Sequence, residues 1–264
     1  MALAVLALLG AACQRRETLA AEGIRRGVLL VGNGGEVQTL DPQLAGGLID
    51  HNPVSALFEG LVTLDETTLE PRPGLARSWD ISADGLTYTF HLQPGLKWSN
   101  GVPLTTADFL YSFARALSPA LASEYNDVYF PVVNAQAYAR GQIRDFGQVG
   151  FEAPDRSTLV MHLRRRTHYF LTLLRNNCWY PVYRPAIEQG GARDDRSNAW
   201  TRRPPLVSCG PFRLVSWRDG QDITLEKNPY YWDAAHVRLN GIRFFSNESL
   251  QGQELAFRAG QLHV

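Results

Sequence analysis

The chain has 264 residues, 45% apolar and 20% charged, enough to bury a sizeable core and too apolar for a disordered chain. Lysine and arginine number 26, as do aspartate and glutamate, so no net field draws the protein to nucleic acid or to an anionic membrane. Local runs such as Arg164-Arg165-Arg166 and Arg202-Arg203 read as solvated arginines near element ends.

The first stretch, MALAVLALLGAACQRRE, is uncharged from Ala2 to Ala12 and turns charged after Cys13. It falls short of the about 20 residues that span a bilayer and fits the apolar region of a secretion signal, although no basic residues precede it. A buried N-terminal helix is the other reading. Gly10-Ala11-Ala12 before Cys13 resembles a bacterial lipoprotein signal, which implies a signal segment over 1–13 and lipidation of Cys13.

From Gly27 to Thr39 the pattern predicts a strand broken by Gly32, Gly34 and Gly35, then a loop containing Gly46-Gly47. A short helix is expected over Asn52–Leu61. The stretch that follows holds short strands and turns, because Pro71 and Pro73 forbid a long helix. Leu86, Tyr88, Phe90 and Leu92 alternate with polar residues, the period of a strand with one buried face. Thr105-x-x-Asp108 then reads as a helix start, the Thr hydroxyl capping free N–H groups and the acid favouring the positive end.

Helices are expected over Asp108–Leu117, Phe130–Tyr138 and the run HYFLTLLRN. DRSTLVMHL echoes the strand at Thr87–Leu92. Phe212–Trp217 and Ile223–Lys227 flank Asp219-Gly220 as a hairpin, and a final strand within VRLNGIRFF precedes a helix within LQGQELAFRAG. Helices and strands mix without regular βαβ alternation, so the fold class is α+β.

The search for catalytic chemistry returns little. No G-x-S-x-G, H-E-x-x-H, P-loop or EF-hand pattern occurs. His91 and His162 sit on the echoing strands, where hydrogen-bonded strand histidines are the expectation. Asp65, Glu66 and Glu70 lie in a turn-rich stretch, and no spacing argues for a hydrolytic carboxylate pair. Cys178 and Cys209 lack metal-ligand spacing and no histidines cluster with them, so no metal or cofactor is expected. In an oxidising compartment the two cysteines could pair and close a loop of about 30 residues, which the sequence leaves open. Aromatic loop residues are abundant: Tyr125 follows a helix end and suits a ligand wall, whereas Tyr231 and Trp232 are expected in the core.

The stretch LTYTFHLQPGLKWSNGVPLTTADF, with GEVQTLDP, LFEGLV, PGLARSW, SEY, GPFRLVSW, ITLEKNPYYWD and FRAGQLHV in the same order, resembles the extracellular solute-binding proteins of peptide ABC importers, oligopeptide-binding branch. The resemblance implies a two-lobed periplasmic-binding-protein-like clamp that closes on an oligopeptide and delivers it to a permease and its ATPase subunits. It assigns 14–58 and 184–264 to a discontinuous, incomplete first ligand lobe and 59–183 to an accessory lobe. Gly46, Gly47 and Leu48 fall where that lobe's main chain approaches the ligand, and Tyr125 where a tyrosine lines the cavity. Glycine permits such an approach because no side chain intervenes.

Family members continue past the end of this chain, and the second ligand lobe is expected in the part not present. Weak or absent peptide binding by these residues alone follows. An acid usually stands where this chain has His263. A receptor of the same family for a nickel complex, a sugar or haem is an alternative, as is a truncated envelope lipoprotein that transports nothing. A secreted hydrolase is a third. The expected location is the bacterial cell envelope, with membrane attachment through a lipid anchor only.

Overall fold

The computed structural model describes residues 17–264. Cys13 and the signal-like segment around it lie outside the described residues. Helix α1 (Leu19–Arg26) starts at Thr18, whose hydroxyl accepts from the Ala21 N–H. It ends at Gly27 with φ 68°, the left-handed stop that glycine adopts without a Cβ penalty. Strand β1 (Val28–Gly32) and helix α2 (Gly47–Leu57) follow, then the short pair β2 (Val62–Leu64) and β3 (Pro71–Pro73).

Strands β4 (Ala76–Ile81) and β5 (Thr87–Leu92) lead into helix α3 (Thr106–Ala116) and the single helical turn α4 (Ala135–Ala139). Strands β6 (Phe151–Glu152) and β7 (Thr158–His162), turn α5 (Phe170–Leu173) and helix α6 (Arg184–Gly190) complete the middle of the chain. The hairpin β8 (Phe212–Arg218) and β9 (Asp222–Lys227), strand β10 (Gly241–Phe245) and helix α7 (Leu250–Arg258) close it.

Two four-stranded sheets organise these elements. One has the order β1-β10-β9-β8, with β1 parallel to β10 and the other pairs antiparallel. The other, β4-β5-β7-β6, is antiparallel throughout and lies wholly within the sequence between β1 and β8. The pairing Val28↔Gly241 therefore brings distant parts of the chain side by side, while the middle sheet is built from closer neighbours.

The period-two reading of β5 is what the structure shows: Tyr88, Phe90 and Leu92 are buried while Thr87, Thr89 and His91 are half-buried. Behind that sheet Phe113 packs on Phe109, Tyr129, Phe151 and Trp179 with ring centroids 4.9–6.0 Å apart. The expected helix start is also present. Asp108 Oδ2 accepts from the Thr105 N–H at 2.8 Å, closing a capping box.

Three expected helices differ. The one placed at Asn52–Leu61 begins at Gly47 and ends at Leu57, with Pro53 inside it rather than at its start. Its added turn is held from outside, where Asp50 Oδ1 accepts from the Gln38 N–H and Asn33 Nδ2 donates to the Ile49 carbonyl. The Phe130–Tyr138 helix contracts to α4, because Pro131 precedes it and Asn134 takes φ 61°. The HYFLTLLRN helix contracts to α5, after which Asn176 accepts from the Cys178 N–H and turns the chain.

Cys178 and Cys209 are both buried and free, so the bridge that the sequence left open is not formed. Each thiol has its own neighbour. Cys178 Sγ lies 3.4 Å from Ser123 Oγ, and Cys209 Sγ donates to the Glu59 carbonyl. Burial pushes the Cys178 thiol up to about 12 and raises Cys209 further, so neither is a nucleophile at neutral pH.

Candidate functional site

The segment 41–48 carries three of the four candidate ligand residues and is held by a buried polar network. Asp41 Oδ1 accepts from the Gln43 N–H, while the Asp41 carbonyl accepts from the N–H groups of Leu44 and Ala45. Arg115, fully buried on α3, donates from Nη1 and Nη2 to the two Asp41 oxygens at 3.1 and 2.6 Å, and from Nη1 to Gln43 Oε1 at 2.6 Å. The Trp200 indole donates to Asp41 Oδ2 at 2.8 Å. Asn177 Nδ2 donates to the Pro42 carbonyl, and Ser123 Oγ to the Gln43 carbonyl. A buried ion pair is tolerable only when its remaining valences are filled, and this one is bonded on every side.

Out of this held loop the chain enters α2. Gly46 caps the helix without a side-chain hydrogen bond, leaving the first-turn N–H groups without the acceptor that usually covers them. Gly47 has φ +70°, and a Cβ built on it meets nothing within 4 Å, so its main chain borders open space. Leu48 is 71% exposed. Tyr125 is 38% exposed and opens the 3-10 turn Asn126–Tyr129.

Gly47, Leu48 and Tyr125 line one cavity of about 460 Å³ together with His51, Thr172, Leu173 and Arg175. Gly46 does not line it. It borders an adjoining cavity of about 430 Å³, which Gly47 and Leu48 share with Glu36, Gln38 and Glu248. The larger cavity of about 690 Å³ between α1 and the first sheet includes none of the four.

The network residues Asp41, Gln43, Arg115, Asn177 and Trp200 carry no sequence signal of their kind. Asp41-Pro42 reads as an ordinary turn, and Arg115 lies one residue off the apolar stripe Phe109–Phe113. Their association spans more than 70 positions, which periodicity cannot see.

The other singled-out residues are structural. His91 faces Thr158 and His162 faces Thr87 across the β5–β7 ladder, and each ring bonds its own acid, Asp80 or Glu152. Asp65 caps its turn by accepting from the Thr67 and Thr68 N–H groups, which hold its carboxyl below the usual range. Tyr231 and Trp232 are half-buried and donate to Glu59, at 2.6 Å from the Tyr231 hydroxyl and 2.7 Å from the Trp232 indole. His263 bridges the Leu30 N–H and the Ala20 carbonyl, joining β1 to α1.

Residues 70–264 match the bacterial extracellular solute-binding proteins, family 5 Middle. The chain belongs to this family. Over 238 residues it is 31% identical to the periplasmic oligopeptide-binding protein OppA of Haemophilus influenzae and 33% to that of Escherichia coli K12. Each alignment covers 89% of this chain and 42% of the relative. The structure of the Haemophilus influenzae OppA complex with RPPGFSPFR superposes with a TM-score of 0.83 at 32% identity, over 90% of this chain and 45% of that one. The mixed helix-and-strand fold is thus that of periplasmic binding proteins, and the chain spans less than half the length of the relatives it matches. No helix among the described residues is long and apolar enough to cross a membrane.

Proposed function

We propose that this chain supplies one ligand-facing wall of a receptor that captures oligopeptides outside the cytoplasmic membrane and delivers them to an ABC permease. The observation that carries the reading is the open main chain at Gly47, set across a cavity from Tyr125 by a buried network. A receptor that accepts many peptides must bind what they share, the main chain, and exposed backbone beside an amphipathic aromatic ring suits that task. The family and the peptide-bound neighbour support the same reading.

In this reading 14–58 and 184–264 form the first ligand lobe, incomplete in this chain, and 59–183 the accessory lobe. The middle sheet, nested between the strands of the first, fits that division. Cys13 anchors the mature protein by a lipid, and the chain performs no chemistry on its cargo.

The test is calorimetric titration of the purified chain with mixed tetrapeptides, with intact mass on the envelope-purified protein. Expected are saturable binding on the order of millimolar, as for a half-open site, and a lipidated mass starting at Cys13. Tyr125→Ala should weaken binding by about fivefold. An envelope-purified protein whose mass ends at Val264 and which takes no peptide would overturn the receptor reading and leave an envelope lipoprotein without cargo.

A further inference from the structure

The cavity beside Gly47 and Tyr125 has a charge pattern that recognition of peptide main chain does not require. Arg175 and His51 line it, its other polar lining residues are neutral, and no carboxylate faces it. Arginines such as Arg115, Arg184, Arg218 and Arg243 are answered by Asp41, Glu188 and Asp222. Others, Arg77 and Arg144 among them, are exposed with no acid beside them among the described residues; what sets Arg175 apart is that it lines the cavity. Arg175, exposed just after α5, has no carboxylate partner and no side-chain hydrogen bond among the described residues. Asp50 accepts from the Gln38 N–H and Glu124 lies 4.0 Å from Arg196, and neither they nor Asp127 line the cavity.

An unanswered guanidinium at a partly enclosed wall favours a planar anion that can take two of its donors at once. His51 sits beside it, and burial followed by the Arg175 charge lowers its pKa, so at neutral pH its ring is an uncharged hydrogen-bonding group. We infer that this cavity is a carboxylate-recognising subsite, so that the chain prefers peptides presenting an acidic side chain or a C-terminal carboxylate to Arg175 and His51. The inference rests on the peptide-receptor reading and names the cargo chemistry within it.

The test titrates the 264-residue chain with the tetrapeptides Ala-Glu-Ala-Ala and Ala-Gln-Ala-Ala, each as free acid and as C-terminal amide. A carboxylate-bearing peptide should bind about tenfold tighter than its uncharged counterpart. A preference that survives amidation assigns the side chain, and one that amidation removes assigns the terminus. In Arg175→Gln the ratio should fall to about one. Arg144→Gln, an exposed arginine outside the cavity lining, should keep it. Thermal melts establish that both variants are folded.

Equal affinity of all four peptides for the unsubstituted chain would overturn the subsite while leaving the receptor standing. So would a preference that Arg175→Gln retains. Absence of binding by all four would overturn the subsite in this chain, and the mass of the envelope-purified protein then decides the receptor reading.

Discussion

The middle sheet and the loop over residues 41–48 are held together by opposite means. Around β5 and α3 the chain relies on interlocked rings, with Phe90, Phe113 and Trp179 all withdrawn from water. Around 41–48 it relies on charge: a buried arginine, a buried aspartate, two side-chain amides and an indole N–H. Apolar packing tolerates small adjustments, because rings can shift by a fraction of an ångström and stay in contact. A hydrogen-bonded ion pair does not, since a lost bond leaves a buried valence unfilled. In the proposed receptor, the wall that would hold its main chain in place for a ligand is built from the less forgiving material.

The largest expected effects test that contrast directly. Phe113→Ala removes a fully buried ring and should cost about 3–5 kcal/mol of global stability. Arg115→Met should cost about as much, about 3–5 kcal/mol, because it strands the Asp41 carboxylate in a dry interior. Hydrogen exchange separates the two. Phe113→Ala should lower protection throughout the middle sheet, whereas Arg115→Met should open the N–H groups of Gln43, Leu44 and Ala45 first. Adding Asp41→Leu to Arg115→Met should restore much of the stability and leave the loop loose. If both single variants lose protection evenly across the chain, the two regions are not held differently.

A junction between the two regions gives a pH-dependent test. Glu59 lies between α2 and β2, and its carboxyl is desolvated enough to rise from 4.5 to about 7, against the lowering effect of the Tyr231 and Trp232 hydrogen bonds. A folded-state value above the unfolded one means the native protein holds a proton that the unfolded chain releases. This contribution is therefore complete below about pH 4.5 and is lost as pH rises through about 7. Measured as the stability difference between the unsubstituted chain and Glu59→Gln, the loss should reach up to about 3 kcal/mol between those limits. A pH-independent difference would mean that the carboxyl titrates alike in the folded and unfolded chain.

How much of this was readable beforehand follows from the same contrast. The alternation at Tyr88, Phe90 and Leu92 and the Thr105–Asp108 box are local patterns, and a sequence displays them. The hairpin around Asp219-Gly220 is equally local, and its strands lie within one residue of where the alternation puts them. The parallel pairing of β1 with β10 and the bonding of Arg115 to Asp41 depend on chain closure, for which no spacing is diagnostic. At the site, Gly47, Leu48 and Tyr125 were expected from resemblance and share a cavity in the structure. His51 and Arg175, which give that cavity its charge, lie at positions where neither periodicity nor spacing sets them apart. The early start of α2 at Gly47, with Pro53 inside the helix, was not legible, because its first turn is held by the distant contacts of Asn33 and Gln38.

The smallest effects distinguish backbone shape from ligand approach within the loop itself. Gly47→Ala places a Cβ in open space but at φ +70°, so its stability cost is conformational, about 1 kcal/mol. In a domain of this size that corresponds to a fall in Tm of about 2–4 °C. Gly46→Ala takes no such strain, since its φ is −120°, and its Cβ would meet Glu124 Oε2 at an ordinary 3.6 Å. Its cost is only the poorer helix cap, about 0.5 kcal/mol. Because Gly47 lines the Tyr125 cavity and Gly46 does not, peptide affinity should follow Gly47→Ala far more than Gly46→Ala. Titration of both variants against one tetrapeptide checks this. Equal losses would mean that the glycines shape the loop and that the ligand meets neither of them, whereas a loss confined to Gly47→Ala puts the open main chain in contact with the peptide.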